Sequence, residues 1–515
     1  MTLLLVATGL VLGWLLSYFF PCKEILYNLY SQLFKRFTRA TGIHGMIQKE
    51  ITKSVNYLAD GLKIKEFDNY TEIPEVGLSK DKMYELLETR MNYDNNVIKK
   101  KHISGSFYSA SPERLEVTSQ ATKLFVLSNP LHADNCPSVR KMEAEVIRMT
   151  SNMLHGSEGV RGMMTTGGSE SIILAVRAHY LNAIKNRNVP QNECEIVMSL
   201  NAHPAWLKGC ELMHITPVII PINDKFAMGV DDLKYKVTEK TVLVVVSAPS
   251  YPHGNIDEIE GIATYCKSMG VPVHVDACLG GFVDAWGEAA GFNVPKFDFQ
   301  IEGVRSISCD THKYGYAPKG SSVLLFDNEE LRNIVFFRYP KWVGGLYCSP
   351  SIPGSRAGSA IAGAWASLLF TGKEGYIKAS KGILGTAKNL KKALSTMEGI
   401  KLITDLNQDT SVVAFTTTKL NIYKVSDCMN KEFNWELNTL QFPSAVHLCL
   451  TENTIGCEEE FLKDLKKAMD IIEKDPSNKK YNVWAPVYGM TSSIPDNDTL
   501  EDMVGQVIAQ YCDVI

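Results

Sequence analysis

The stretch SCDTHKYGYAPKG, residues 308 to 320, holds two lysines six residues apart. Lys313 comes five residues after the end of the short β-branched run VRSIS, and Lys319 lies in the Pro/Gly-rich loop beyond it. A strand-end lysine is usually a solvated charge, but close to other cationic groups its amine pKa falls and it can condense with a carbonyl. Asp276 ends the run VPVHV in the same way, where an isolated carboxylate is costly to bury without a positive partner such as a protonated ring nitrogen. In TTGGSES, residues 165 to 171, two glycines and a serine open a helix whose unpaired N–H groups and positive dipole end can hold a phosphate. By itself such a Gly-Gly turn is more often structural. His203, in NAHPAW, follows the run CEIVMS and is placed to stack on a flat ring.

The elements that position these residues are legible from about residue 119 onward. Helical segments such as KMEAEVIRMTSNML and ESIILAVRAHYLNAI alternate with the runs CEIVMS, VLVVVS, VPVHVDA, VRSIS and SVLLF. That alternation specifies an α/β chain of βαβ units around a mostly parallel sheet with flanking helices. The segment IDEIEGIATYCKSMG puts Ile259, Ile262, Ala263 and Cys266 on one face and Gly270 at its end, as a crossover helix requires. Ligands of such sheets bind outside the carboxyl ends of the strands, where the polar residues above fall. A phosphate cradle, a carboxylate and an amine at successive strand ends have one economical common ligand, pyridoxal 5'-phosphate. Its phosphate would lie on residues 167 to 169, its ring nitrogen on Asp276 and its aldehyde on Lys313, with His203 against the ring face.

Four regions are expected: an anchor at 1–21, an N-terminal segment with a partner-embracing loop at 22–118, a large cofactor-binding domain at 119–365, and a small C-terminal α/β domain with its tail at 366–515. HISGSFYSASPERL reads as an ordered loop rather than a helix, SVVAFTT and AVHLCLT as strands of the small domain, and the last 35 or so residues as irregular. The chain of 515 residues, 45% hydrophobic, can fill a sizeable core, and a net charge of -4 gives no attraction to nucleic acid. Twelve cysteines without a C-x-x-C pair argue against a disulfide framework and a metal site, and fit reduced thiols facing the cytosol. Thr2 to Phe20 is a run of 19 uncharged residues, which as a helix just spans ~30 Å of hydrocarbon. A cleaved signal peptide is the rival reading, but no basic residue precedes the run, no small-x-small site follows it, and Lys23, Lys35, Arg36, Arg39 and Lys49 lie beyond, so it reads as a single-pass anchor with the catalytic part in the cytosol.

NPLHADNCPSVRKMEAE, GGSESI, HVDACLGGF, DTHKYGYAPKGSS and TLQFPSAVHLCLT together resemble the sphingosine-1-phosphate lyase family from about residue 100 to 470. The resemblance implies the fold type I of pyridoxal-phosphate transferases, with Lys313 holding the cofactor, Asp276 facing its ring nitrogen, and His203 stacking. His312, Gly168 and Ser169 are implied as cofactor-phosphate contacts. For a substrate phosphate it implies Tyr108, His132 and Lys319. It also implies a homodimer with shared sites, Tyr108 and the GSRAG loop with Ser355 and Arg356 crossing the interface, and residence in the endoplasmic reticulum membrane. The implied reaction is retro-aldol cleavage of a phosphorylated sphingoid base to a long-chain aldehyde and phosphoethanolamine. Lys313, His203 and Tyr251 are then the candidate proton carriers. The chain departs from the family pattern at Cys309, Pro204 and Tyr251. Cys309 reads as packing, Tyr251 as either an acid/base or an aromatic wall, and Cys278, beside Asp276, as an inert buried thiol. An amino-acid decarboxylase shares the lysine and aspartate logic but has no evident use for Lys319 or an anchor. A membrane-tethered, non-catalytic scaffold would have no use for an intact set of Lys313, Asp276 and His203.

Overall fold

The computed structural model describes residues 66–99, 102–481 and 497–510, with four isolated positions before them. The run Thr2–Phe20 lies outside the described residues, and among those described no helix is long and apolar enough to cross a membrane. At the centre is a seven-stranded sheet: β1 (Arg161–Thr165), β2 (Glu195–Ser199), β3 (Thr216–Ile220), β4 (Thr241–Ser247), β5 (Val273–Asp276), β6 (Val304–Cys309) and β7 (Ser322–Phe326). Its spatial order is β3-β2-β4-β5-β6-β7-β1, and only β7 runs antiparallel to its neighbours β6 and β1. All seven residues of β4 are buried, because TVLVVVS is flanked by strands on both edges and by packed elements on both faces. Period-two alternation divides the strands between two cores: Val244, Val246, Val273, Val275 and Ile307 face one, and Leu243, Val245, Leu324 and Phe326 the other.

Two strands were not expected from the sequence. In β1 the glycine that weakens the strand signal is needed, because a Cβ on Gly162 would lie 2.6 Å from the Leu324 carbonyl oxygen. In β3, Pro217 is tolerated because β3 is an edge strand paired only with β2.

The helices that matter for the site are α1 (Lys80–Ile98), α2 (Pro112–Leu124), α3 (Pro137–Met153), α4 (Gly168–Arg187), α5 (Ala205–Met213) and α6 (Ile259–Ser268). The crossover α6 buries Ile259, Ile262, Ala263 and Cys266, as its periodicity requires. The expected loop over HISGSFYSASPERL needs correction at its end: Ser111 caps α2, accepting from the Arg114 N–H, and Pro112 starts the helix with its φ already set. Next come an exposed hairpin, β8 (Phe337–Trp342) with β9 (Gly345–Ser349), and the long helix α7 (Gly358–Thr396). Helix α7 runs across position 365/366 and kinks at Gly372, whose φ is 60°.

The C-terminal unit is an antiparallel sheet of β10 (Ile400–Leu402), β11 (Val412–Thr417), β12 (Asn438–Leu440) and β13 (Ala445–Cys449) in the order β10-β11-β13-β12, with helices α8 (Ile422–Phe433) and α9 (Glu458–Lys474). The tail expected to be irregular contains a helix at Asn497–Gln510. The two-residue strand His102–Ile103 pairs in parallel with Trp435 and Glu436, which fastens the segment before α2 to the small unit of the same chain. The described cysteines are all free.

Candidate active site

The turn after β6 carries Lys313, whose Nζ lies 2.9 Å from Asp310 Oδ2. Asp310 is the residue that sequence reasoning missed, although it stands in the same DTHK stretch. Its side chain is 2% exposed, against 24% for Lys313, so a nearly dry carboxylate faces a cation. The expectation that neighbouring cations lower the Lys313 amine is overturned. Burial pulls that amine down, but Asp310, supported by Cys278 and Tyr108, outweighs it and raises the amine above the ordinary lysine range. Lys319 is the amine that falls, by burial and by the charge of Lys313, with Asp310 opposing. His312 donates from Nδ1 to the Ser321 carbonyl, which turns its Nε2 toward Asp310 Oδ2 at 3.7 Å.

Asp276 is 7% exposed at the end of β5. The Trp206 indole N–H donates to its Oδ2 at 3.0 Å, and the Cys278 backbone N–H to its Oδ1 at 3.1 Å. Trp206, fully buried at the start of α5, was also missed, although it lies three residues from His203. A carboxylate has lone-pair sites for further donors, so a protonated ring nitrogen can join these two. Burial, and then the charges of Asp276 and Asp310, push the Cys278 thiol well up, which keeps it protonated and inert. Asp276, Asp310 and Lys313 all act on the thiols of Cys278 and Cys309, which puts amine and carboxylates at the adjoining carboxyl ends of β5 and β6.

A cavity of about 320 Å³ opens here, its wall including Gly167, Gly168, Ser169, His203, His312 and Lys313. That is within the ~300–1,000 Å³ range of small-molecule sites. Gly167, at φ 150°, is the N-cap of α4 and contributes no side-chain cap, so the first N–H groups of a 20-residue helix are left for a ligand. A Cβ on Gly168 would stand 2.9 Å from both Asp310 carboxylate oxygens, so glycine keeps the cradle and the ion pair compatible. His203 is exposed at the rim. Its Nδ1 accepts the Ala205 N–H at 3.1 Å, which leaves the proton on Nε2. Anion cradle, amine, the Asp310 carboxylate and rim imidazole line one space of the right size for a ring bearing a phosphate and an aldehyde, and Asp276, outside that wall, is hydrogen-bonded to its Cys278. The residues therefore fit pyridoxal 5'-phosphate.

Tyr108 is not in the cavity wall, but within its own chain it lies close to Lys313 and Lys319. Burial first, then the Cys449 thiol, raises its hydroxyl, with the charge of Lys313 opposing. Its ring packs edge-on against Tyr314 at 4.8 Å and lies 5.0 Å beneath the Lys319 amine. The cause is the anchoring of its segment on the small unit, where the Gly105 N–H reaches the Cys449 carbonyl at 2.9 Å. Tyr251 accepts from Asn438 at 3.0 Å, packs on His447 and bears electrostatically on Tyr108. His132 and Ser355 are not in the cavity wall. Both are tied to Asn129, His132 through its N–H at 3.1 Å and Ser355 as acceptor at 3.0 Å, while Arg356 pairs with Glu143.

The sheet order, the small C-terminal unit and this constellation define a pyridoxal-dependent enzyme of decarboxylase-like fold, and the pyridoxal-dependent decarboxylase conserved domain matches residues 118–418. A glutamate decarboxylase of Lactobacillus brevis shares the fold at a TM-score of 0.67 and 20% identity, covering 79% of this chain and 95% of its own. Within that class the chain belongs to the sphingosine-1-phosphate lyase family. It is 36% identical to the lyase of Dictyostelium discoideum over 99% of this chain and 95% of that one. A solved sphingosine-1-phosphate lyase of Burkholderia pseudomallei superposes at a TM-score of 0.75 with 35% identity, covering 79% of this chain and 94% of that one. The cofactor is pyridoxal 5'-phosphate.

Proposed function

We propose that this chain cleaves sphingosine 1-phosphate and related phosphorylated sphingoid bases between C2 and C3, giving a long-chain aldehyde and phosphoethanolamine. The observation that carries the reading is the placing of Lys319 and Tyr108 beside Lys313 in one chain, which adds a second phosphate-directed group next to the cofactor cradle. When bound, the cofactor supplies an electron sink for the pair released as the C2–C3 bond breaks. Lys313 would hold the cofactor aldehyde. Asp276 receives the ring nitrogen, and the first N–H groups of α4 with Ser169 and His312 hold the cofactor phosphate. Lys319 meets the substrate phosphate as a point charge, with Tyr108 beneath it. His203 and Tyr251 flank the place where the C3 hydroxyl proton must leave, and Lys313 returns a proton to C2.

A homodimer that brings Ser355 and Arg356 to a neighbouring site, an anchor at Thr2–Phe20 and residence in the endoplasmic reticulum membrane complete the reading, since tethering keeps the enzyme where a lipid substrate resides. The test supplies purified full-length protein with sphingosine 1-phosphate, glutamate and an aromatic amino acid. Release of long-chain aldehyde from the first alone supports the proposal. Carbon dioxide release from an amino acid without aldehyde formation overturns it.

A further inference from the structure

Register pairs His274 on β5 with Ser306 on β6, and Asp276 with Ser308. Because alternate residues face opposite sides of a strand, these four side chains share one face, while Val273, Val275, Ile307 and Cys309 face the other core. Helix α4 brings His179 onto this polar file. His179 Nε2 lies 2.7 Å from Ser306 Oγ, which lies 2.7 Å from His274 Nδ1. His274 Nε2 is 3.0 Å from Ser308 Oγ, and Ser308 Oγ is 3.5 Å from Asp276 Oδ1. None of the four linking residues is more than 1% exposed.

We infer that His179, Ser306, His274 and Ser308 are positioning residues that form a one-way hydrogen-bond relay ending on Asp276, so that the carboxylate facing the cofactor ring is oriented from the amino end of the strands. The direction follows from counting donors. A carboxylate accepts, so Ser308 gives its only proton to Asp276, and the Cys278 thiol, 3.3 Å away, donates to Ser308. Ser308 must then accept from His274 Nε2–H, which leaves His274 Nδ1 bare. Ser306 donates to that nitrogen and accepts from His179 Nε2–H, which leaves His179 Nδ1 bare. That nitrogen is the one at the far end, and it has no partner among the described residues. The counting needs one proton per ring, which burial enforces: it lowers His179 to about 3, helped by Arg305 and Arg187, and holds His274 well below its ordinary value, helped by His179. The His179 end forms part of the wall of a separate crevice of about 540 Å³ near the amino ends of β5 and β6, with Arg187, Val271 and Arg305.

The inference rests on the assignment of Asp276 as the cofactor's partner. Neutron diffraction from deuterated crystals of the full chain locates the protons directly. The relay predicts deuterium on Nε2 of both histidines and none on either Nδ1, whereas deuterium on Nδ1 of either overturns it. A second readout is the dissociation constant for pyridoxal 5'-phosphate, followed by absorbance. Ser306→Ala, three hydrogen bonds from Asp276 and in contact with nothing that touches the cofactor, is expected to weaken binding about tenfold, with Ser306→Thr restoring it. Equal affinity of Ser306→Ala and wild type overturns the inference. The deuterium positions are read without cofactor or activity, so they test the relay separately from the function proposed above. A wild-type chain that takes up no pyridoxal 5'-phosphate overturns the assignment of Asp276, and with it the relay's purpose.

Discussion

At Lys313 the amine that must condense with an aldehyde is held as a cation by Asp310 at 2.9 Å. Condensation needs the neutral amine, so Asp310→Asn should let cofactor-free protein take up pyridoxal 5'-phosphate at lower pH. An opposite charge this close shifts a pKa by about 1–3 units, so the half-maximal uptake rate should move down by at least about one pH unit. An unchanged profile would show that the ion pair does not control the amine. Lys313→Ala should abolish both covalent attachment of the cofactor and turnover, read by absorbance and by aldehyde release, and retained wild-type turnover would refute its role. Lys319→Ala removes a charge-assisted contact worth ~1.5–3 kcal/mol, so KM for phosphorylated substrate should rise roughly 10- to 100-fold. An analogue without the phosphate should be affected little, and equal losses on both would contradict the assignment. Lys313 and Asp276 stood out in the sequence because each follows an apolar run where a charge needs a partner, whereas the role of Lys319 came from the family resemblance. Asp310 and Trp206 did not stand out, because a carboxylate beside a lysine and an indole in a helix are ordinary until their partners are known.

On the scale of elements, the site depends on how α4 meets the turn after β6. Gly168 leaves the Asp310 carboxylate its place, so Gly168→Ala forces a Cβ to within 2.9 Å of both oxygens. A displaced carboxylate loosens its grip on Lys313 and crowds the phosphate cradle. The variant is expected to fold, to lose roughly 1–3 kcal/mol of stability and to bind pyridoxal 5'-phosphate at least about tenfold more weakly, measured by thermal melting and by absorbance titration. Wild-type affinity would mean that the helix end can shift freely. The five strands expected from the sequence formed because runs such as VLVVVS have no stable alternative to a fully buried strand. Strands β1 and β3 escaped notice because Gly162 and Pro217 are unfavourable in isolation and become acceptable only through close packing on β7 and an edge position. Helix α2 was hidden for a related reason: Ser111 and Pro112 look like loop residues but serve as cap and first turn.

For the whole molecule, the seam between the large and small units contains His447 of β13, fully buried with Nδ1 donating to the Pro252 carbonyl at 3.0 Å. Burial lowers its pKa from 6.5 to about 4. The unfolded chain therefore takes up a proton below about pH 6.5 that the folded chain refuses until about pH 4, and stability falls as pH falls through that window. Between pH 7 and pH 5 this ring should cost about 2 kcal/mol. His447→Gln should flatten the loss of denaturant midpoint on acidification by that amount. Comparing the two proteins cancels groups that shift the opposite way, such as Asp257, which burial raises to about 7. Identical pH dependence in both would remove His447 from the seam's titration. The sequence by itself determined the mostly parallel α/β architecture and the cofactor, because hydrophobic periodicity and residue type act locally along the chain. Only the tertiary structure decided that Asp310 holds Lys313, that Tyr108 packs beneath Lys319 of the same chain, and that a polar file runs from His179 to Asp276. Those are contacts across strands and between units, set by register and packing that no single segment encodes.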